Sequence, residues 1–126
     1  AAALALVRRH LADLPVTGLI YTHSHADHLH GIDDIRSLNY AAGAALPAYA
    51  DETTLAEIMR RFPYVFTPLA PGTGFYKPSL TAHAIAPPAP FEVCGVPVQP
   101  FLQQHGRVHS VGFRIGCMAY TPDVKD

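Results

Sequence analysis

The sequence has few charged residues, few cysteines and no long apolar run. Charged residues make up 15% of the 126 residues and the formal net charge is -1, so no basic patch is present for nucleic acid or anionic lipid. Cys94 and Cys117 are too few for a disulfide scaffold and lack zinc-knuckle spacing, so we interpret both as buried small residues. No apolar run approaches the roughly 20 residues of a membrane span. These absences favour a cytoplasmic protein that binds neither nucleic acid nor membrane.

Hydrophobic residues, by contrast, make up 49% of the chain, as in a packed globular domain. Apolar spacing predicts helices over 4–14, from Asp27 or His28 through Leu38, and over 53–62, where Thr54 and Glu57 have capping-box spacing. Early strands are predicted at 16–22 and 45–50. Later strands are predicted at 80–86, 91–94 and 96–104, followed by a hairpin with its turn near Gly116. This order indicates an α/β or α+β domain with a substantial sheet.

The segment "YTHSHADHLHG", Tyr21 to Gly31, contains four of the eight histidines and one aspartate. It follows a predicted strand and enters a predicted helix. His23 and His25 are two residues apart, so both rings project to the same side of an extended backbone. Asp27 and His28 can supply a second group of ligands nearby. Imidazole and carboxylate ligands suit Zn²⁺, Mn²⁺ or Fe²⁺, so the segment predicts one or two metal sites.

Two further residues are candidates for the remaining metal ligands. His105 ends a predicted strand just before Gly106, and Asp123 follows the last predicted strand in "YTPD". Either residue alone is typical of a turn. Their shared position at strand ends, where the sites of α/β proteins gather, favours a role at the metal site.

"YTHSHADHLHGIDDIRSLN", together with "RFPYVF", resembles the metallo-β-lactamase superfamily, and within it the branch of the phosphoribosyl cyclic phosphate phosphodiesterases. The resemblance implies an α/β fold, an αββα sandwich with a dinuclear metal site at one edge of its two sheets. The implied ligands are His23, His25 and His105 for one metal, Asp27 and His28 for the other, and Asp123 as the bridge between them.

The resemblance also implies an activity. Two divalent metal ions, zinc or manganese, would hold a hydroxide that attacks a small cyclic or diester phosphate, and Asp27 would orient the attacking oxygen as a catalytic residue. The alternatives are a thioesterase or lactonase of the same superfamily, or a metal-binding fragment without catalysis. A small phosphate ester is therefore the expected partner, and the sequence leaves a homodimer open.

The family pattern contains a final histidine that has no counterpart after Asp126, and opening strands that have none before the first helix. We therefore expect residues 1–126 to be a single partial metallo-hydrolase domain, incomplete at both ends. Asp33, Asp34 and Arg36 are interpreted as supports of the metal-binding loop, and Pro63 to Pro78 as an apolar cover. For His30, a contact near the site and a plain exposed position are both left open.

Overall fold

The structure, a computed structural model, describes Arg9 and residues 14 to 125. The first predicted helix, 4–14, falls outside the described residues apart from Arg9 and Leu14. The helices are α1 (Ala26–Leu29), α2 (Ile35–Ala42) and α3 (Glu52–Arg61), with 3₁₀ turns at Ile32–Asp34 and Pro63–Phe66. The strands are β1 (Leu19–Ile20), β2 (Leu46–Asp51), β3 (Leu80–Ile85), β4 (Phe91–Val93), β5 (Val96–His105), β6 (Val108–Ile115) and β7 (Met118–Tyr120).

These strands form two sheets of different kinds. β1, β2 and β3 are parallel and lie in that order, as the helices between them allow. β4, β5, β6 and β7 are antiparallel and follow one another through short turns. The turn predicted near Gly116 joins β6 to β7. The predicted α/β class is therefore confirmed, with helices in the first half and antiparallel strands in the second.

β2 shows how the chain separates its two cores. Leu46, Ala48 and Ala50 are fully buried and alternate with half-buried residues, because successive side chains of a strand point to opposite faces of the sheet. Leu46 and Ala48 pack against helix residues that include Ile35 and Ile58. The parallel sheet is thus covered by the helices on one face.

The other face of the parallel sheet packs against the antiparallel sheet. Ile85 of β3 lies in one buried cluster with Val98, Val111 and Phe113 of β5 and β6, and Tyr49 of β2 packs against that cluster. The described residues therefore form three layers, with helices, a parallel sheet and an antiparallel sheet in succession. The edge where the two sheets meet is the place where residues from distant parts of the chain converge.

The predicted helix after the histidine segment is divided into shorter pieces. α1 ends at Leu29, a 3₁₀ turn follows, and α2 begins at Ile35. Gly31, the residue between the first two pieces, has φ -81° and ψ 6°, outside helical geometry. Ile32 and Ile35 are nevertheless buried as the apolar spacing predicted, so the chain keeps its buried face while the helix axis is interrupted.

The predicted capping box of α3 is wrong. The residue that caps the helix is Asp51, whose carboxylate accepts hydrogen bonds from Thr54 N at 3.1 Å and Thr54 Oγ1 at 2.7 Å. An aspartate at this position binds a free N–H of the first turn as well as a threonine would. Glu57 consequently lies well inside the helix, where its carboxylate is available to other partners.

The prediction that both cysteines are buried is also wrong. Cys94 and Cys117 are exposed, because each lies in a two-residue turn, between Val93 and Val96 and between Ile115 and Met118. Turns at the end of a sheet lie outside the layers that it packs against. Cys94 has a positive φ of 51°, a conformation that this tight hairpin requires.

The loop of residues 63–78 contributes to the core as predicted for a cover. Val65 is fully buried, and Phe62 and Phe66 pack against the cluster beneath the helices. Among the described residues, no helix has the length and apolar content needed to cross a bilayer.

Candidate metal centre

The histidine segment begins where β1 ends and is tied to both sheets. Tyr21 N donates to Tyr49 O of β2 at 2.9 Å, and Val111 N of β6 donates to Thr22 O at 2.8 Å. These two hydrogen bonds fix the backbone just before His23 between the parallel and the antiparallel sheet. His23 is buried as a result, with only 1% of its surface exposed.

The first group of candidate ligands consists of His23, His25 and His105, whose ligand atoms all lie within 4.8 Å of one another. His105 Nε2 lies 3.1 Å from His25 Nδ1. Two nitrogen atoms that bind one tetrahedral zinc ion at about 2.0–2.1 Å are about 3.3 Å apart. His105 is the last residue of β5, and Gly106, with φ +62°, turns the chain directly after it. The group therefore has the spacing that a single cation requires.

The second group consists of His23, His28 and Asp123, and it meets the same distance limit. His28 Nε2 lies 3.4 Å from Asp123 Oδ2, and His105 Nε2 lies 3.9 Å from the same oxygen. The Asp123 carboxylate thus faces a histidine of each group, which is where a bridging ligand would lie. His23 belongs to both groups, whereas we assigned it to the first alone from the sequence.

Asp27 lies beside the second group without being part of it. Its Oδ2 is 3.7 Å from His28 Nε2, and 77% of its side chain is exposed. The structure therefore brings together all six residues predicted from the sequence, and their individual roles stay predictions. His30 is exposed at the end of α1 and belongs to neither group.

The side chains at this site fit a cation. His23 Nε2 and His105 Nδ1 are buried and have no hydrogen-bond partner within the described part of the chain, and buried polar atoms are rarely left unpaired without a ligand. Thr22 Oγ1 lies 3.0 Å from His23 Nδ1, a contact that can hold the ring with its other nitrogen towards the site. Burial first, and then the neighbouring imidazoles of His28, His25 and His105, lower the pKa of His23. Its neutral form, the one that binds metal ions, is favoured.

The segment that carries Asp123 is held against the antiparallel sheet. Ser110 Oγ donates to Asp123 O at 2.8 Å, and Lys125 N donates to Gln104 O at 3.2 Å. Lys125 O in turn accepts from Gly106 N at 3.2 Å. These contacts fix Asp123 next to the end of β5. Nothing in the sequence around Ser110 indicates this role, because the contact depends on the pairing of strands.

Arg61 supports the metal-binding segment, and sequence reasoning missed it. Its Nη1 donates to Ser24 O at 2.9 Å, while its Nε donates to Glu57 Oε1 at 2.6 Å. Arg60 binds the same carboxylate, and the hydrogen bonds from Arg60 and then Arg61 lower the pKa of Glu57 to about 2. The spacing of Glu57 and Arg61 indicates an ion pair on one helix face. The contact to Ser24 appears only in the fold.

The supports predicted from the sequence hold a different segment. Tyr64 Oη donates to Asp33 Oδ1 at 2.7 Å, and Arg36 Nη1 lies 3.5 Å from Tyr76 O. Both partners belong to the loop of residues 63–78, so Asp33 and Arg36 fasten this cover rather than the metal-binding segment. The prediction fails for these two residues because α2 faces that loop.

The two overlapping groups at a sheet edge agree with what comparisons with known proteins found. Residues 2–126 match the family model described as the beta-lactamase superfamily domain. The chain belongs to the metallo-β-lactamase superfamily. Membership confirms the resemblance, and the helix layer and two sheets described above are part of the αββα sandwich that it implied. Enzymes of this superfamily are hydrolases, and its fold implies that the site binds divalent metal ions.

Two solved structures of the superfamily are similar to this chain. One is described as a new diphosphatase from the PhnP family, with a TM-score of 0.71 and 26% identity over 94% of this chain. The other is the metallo-β-lactamase fold protein YhfI from Bacillus subtilis, with a TM-score of 0.61 and 18% identity over 91% of this chain. The second likeness shows the fold alone.

A curated relative is described as an octanoyltransferase from Porphyromonas gingivalis (strain ATCC BAA-308 / W83). It is 37% identical over 109 residues, which is 86% of this chain and 21% of the relative. The chain likewise spans 45% and 44% of the two solved structures. It therefore corresponds to less than half of each of these proteins.

Proposed function

We propose that the protein containing this chain is a metal-dependent phosphodiesterase that acts on a small cyclic or diester phosphate. The observation that carries the proposal is the pair of overlapping ligand groups that share His23, with the carboxylate of Asp123 facing both. Such an arrangement suits two cations a few ångströms apart, which is how phosphodiester-cleaving sites of the two-metal type are built. Similarity to the PhnP-family diphosphatase supports phosphorus chemistry over other hydrolysis.

Each candidate ligand has a distinct part in this proposal. His23, His25 and His105 would hold one cation, His28 and Asp27 the other, and Asp123 would bridge them. Zinc and manganese both suit these imidazole and carboxylate ligands. When bound, the two cations lower the pKa of a water molecule and neutralise negative charge on the phosphoryl group.

Asp27 is the residue that we place closest to the reacting water. Its side chain is mostly exposed, so its carboxylate can reach a molecule that enters from solvent. Asp27 accepts a hydrogen bond from the attacking water and takes its proton as the water oxygen bonds to phosphorus and the bond to the ester oxygen breaks. Its contact with His28 keeps the carboxylate beside the site during this transfer.

Hydrolysis of an acyl ester or thioester is the second candidate. It is favoured by the name of the octanoyltransferase relative, which handles an acyl group. This chain covers 21% of that protein, and the printed name does not say which part of the relative performs the transfer. The superfamily fold is compatible with either bond type, so only the substrate distinguishes the two candidates.

The experiment compares three substrates with the intact, metal-loaded protein: bis(p-nitrophenyl) phosphate, octanoyl-coenzyme A and a simple lactone. We expect the phosphodiester to be cleaved fastest, with the rate lost on chelation and restored by zinc or manganese. His105→Ala should lose the activity, while His83→Ala, which changes an exposed histidine of β3, should keep it. Faster cleavage of the thioester or lactone would replace the phosphodiesterase proposal with the second candidate.

A further inference from the structure

A cavity of about 560 Å³ lies directly beside the metal centre, and His23 forms part of its wall. This volume falls within the range of about 300–1,000 Å³ that is usual for sites of small ligands. The rest of the wall comes from the first turn of α3, the end of β3 and the hairpin of β5 and β6. A substrate held at the metal centre would therefore place its remaining atoms in this cavity.

One part of the wall is apolar. Ile85 at the end of β3 and Leu102 and Val108 of the hairpin line it. Leu102 and Val108 are 54% and 39% exposed, so two large apolar side chains face solvent next to a polar site. Burial of such surface under a ligand releases about 25 cal/mol for each Å² of apolar area. This part of the wall suits a ring or another apolar face of an organic group.

The remaining wall carries two opposite charges. Arg107 lies in the turn between β5 and β6, two residues after His105, and makes no hydrogen bond or ion pair among the contacts found for the described residues. Glu52 is the first residue of α3 and lines the cavity from the helix side. A free guanidinium beside a metal centre can bind a phosphoryl oxygen. A carboxylate accepts hydrogen bonds from hydroxyl groups and repels a second anion.

We propose that this cavity selects a phosphodiester with a single negative charge and a hydroxyl-bearing organic group. Arg107 binds a free phosphoryl oxygen, and Glu52 accepts a hydrogen bond from a hydroxyl of the organic group that packs on the apolar wall. A second phosphate on that group is disfavoured, because it would face the Glu52 carboxylate. The inference rests on the phosphodiesterase function proposed above and names its substrate class.

The test uses two substrates that differ only in one phosphate. One is the diester of thymidine phosphate with p-nitrophenol, and the other is the same compound with its free thymidine hydroxyl phosphorylated. We expect the intact, metal-loaded protein to have the higher kcat/KM on the first. Glu52→Gln keeps an acceptor oxygen without the charge, and should shift the ratio about tenfold towards the second, the size of one charge-assisted interaction.

Arg107→Gln should lower kcat/KM on both substrates about tenfold, mainly through KM, with metal content unchanged. The dissociation constant of diethyl phosphate, measured by calorimetry on the metal-loaded protein, should rise by a similar factor. Arg114→Gln is the matched control, because this exposed guanidinium of β6 lies outside the cavity and binds Gly116 O. It should leave both measurements unchanged.

Two results overturn the inference while leaving the phosphodiesterase function in place. One is equal behaviour of Arg107→Gln and Arg114→Gln in both kinetics and binding. The other is a ratio between the two substrates that does not change in Glu52→Gln. If the unaltered protein cleaves neither diester, the phosphodiesterase function fails and this inference fails with it.

Discussion

His23 is the residue on which the candidate centre most depends. It is the only member of both ligand groups among the described residues, and it is buried where the two sheets meet. The other ligands reach the centre from the edge and belong to one group each. The loss of His23 should therefore affect both metals at once, whereas the loss of His25 should affect one.

We predict that His23→Ala in the intact protein removes both metal ions, while His25→Ala leaves one bound. Metal content by mass spectrometry after dialysis checks this, with His83→Ala as the control that keeps normal content. Because Ala leaves a cavity at a buried position, melting curves should accompany the measurement. A folded His23→Ala protein with full metal content would contradict the shared role.

Arg61 acts on the centre through the backbone of Ser24, so we describe it as a positioning residue. We predict that Arg61→Gln weakens metal binding by about 10- to 100-fold, the effect usual for groups that orient metal ligands. Arg60→Gln is the matched control, since Arg60 binds the same Glu57 carboxylate without reaching Ser24. Competition with a chelator dye measures the affinity of each variant.

Because the pKa of Glu57 is lowered to about 2, its ion pairs persist through neutral and mildly acidic pH. Their contribution to stability is full above the ordinary range of a glutamate and is lost as the pH falls towards about 2. Equal metal affinities for Arg60→Gln and Arg61→Gln at neutral pH would show that the contact to Ser24 has no effect on the centre.

At the scale of elements, the hairpin of β5 and β6 positions the centre. It carries His105 at its turn and Ser110 next to Asp123. The two strands approach closely at Gly112, where an added Cβ would lie 2.4 Å from the Phe101 ring and 2.8 Å from Gln103 Oε1. The side chains of β5 thus pack over a position that only glycine leaves open.

We predict that Gly112→Ala destabilises the protein by about 1–3 kcal/mol, the usual cost of forcing extra atoms into a packed site. Gly31→Ala is the control, because no atom lies within 4 Å of its added Cβ and its φ of -81° suits alanine. Denaturant unfolding of the two variants gives the comparison. No difference in the free energy of unfolding would mean that Phe101 moves away at little cost.

Most elements could be predicted from the sequence because each depends on local patterns. The alternation in β2 and the apolar stripe of α3 both give strong periodic signals. The errors occurred where two local patterns competed. Asp51 and Thr54 both precede the same helix as candidate caps, and only the observed contact decides between them. The cysteines were placed by average residue preference, although the tight turns around them determine their exposure.

At the scale of the whole molecule, the centre lies where a helix-covered parallel sheet meets an antiparallel sheet. The motif predicted which residue types gather there, because four of the ligands lie within six positions of the chain. The supports could not be predicted in this way. Arg61 and Ser24 are 37 residues apart, and their contact follows from the packing of α3 against the segment after β1.

The central claim is that six residues of this chain form a centre for two cations that share His23 and Asp123. Anomalous diffraction at the zinc edge from crystals of the intact, zinc-loaded protein tests it most directly. We predict two peaks, one beside His25 and His105 and one beside His28, with the Asp123 carboxylate between them. A single peak, or peaks away from these side chains, would contradict the account.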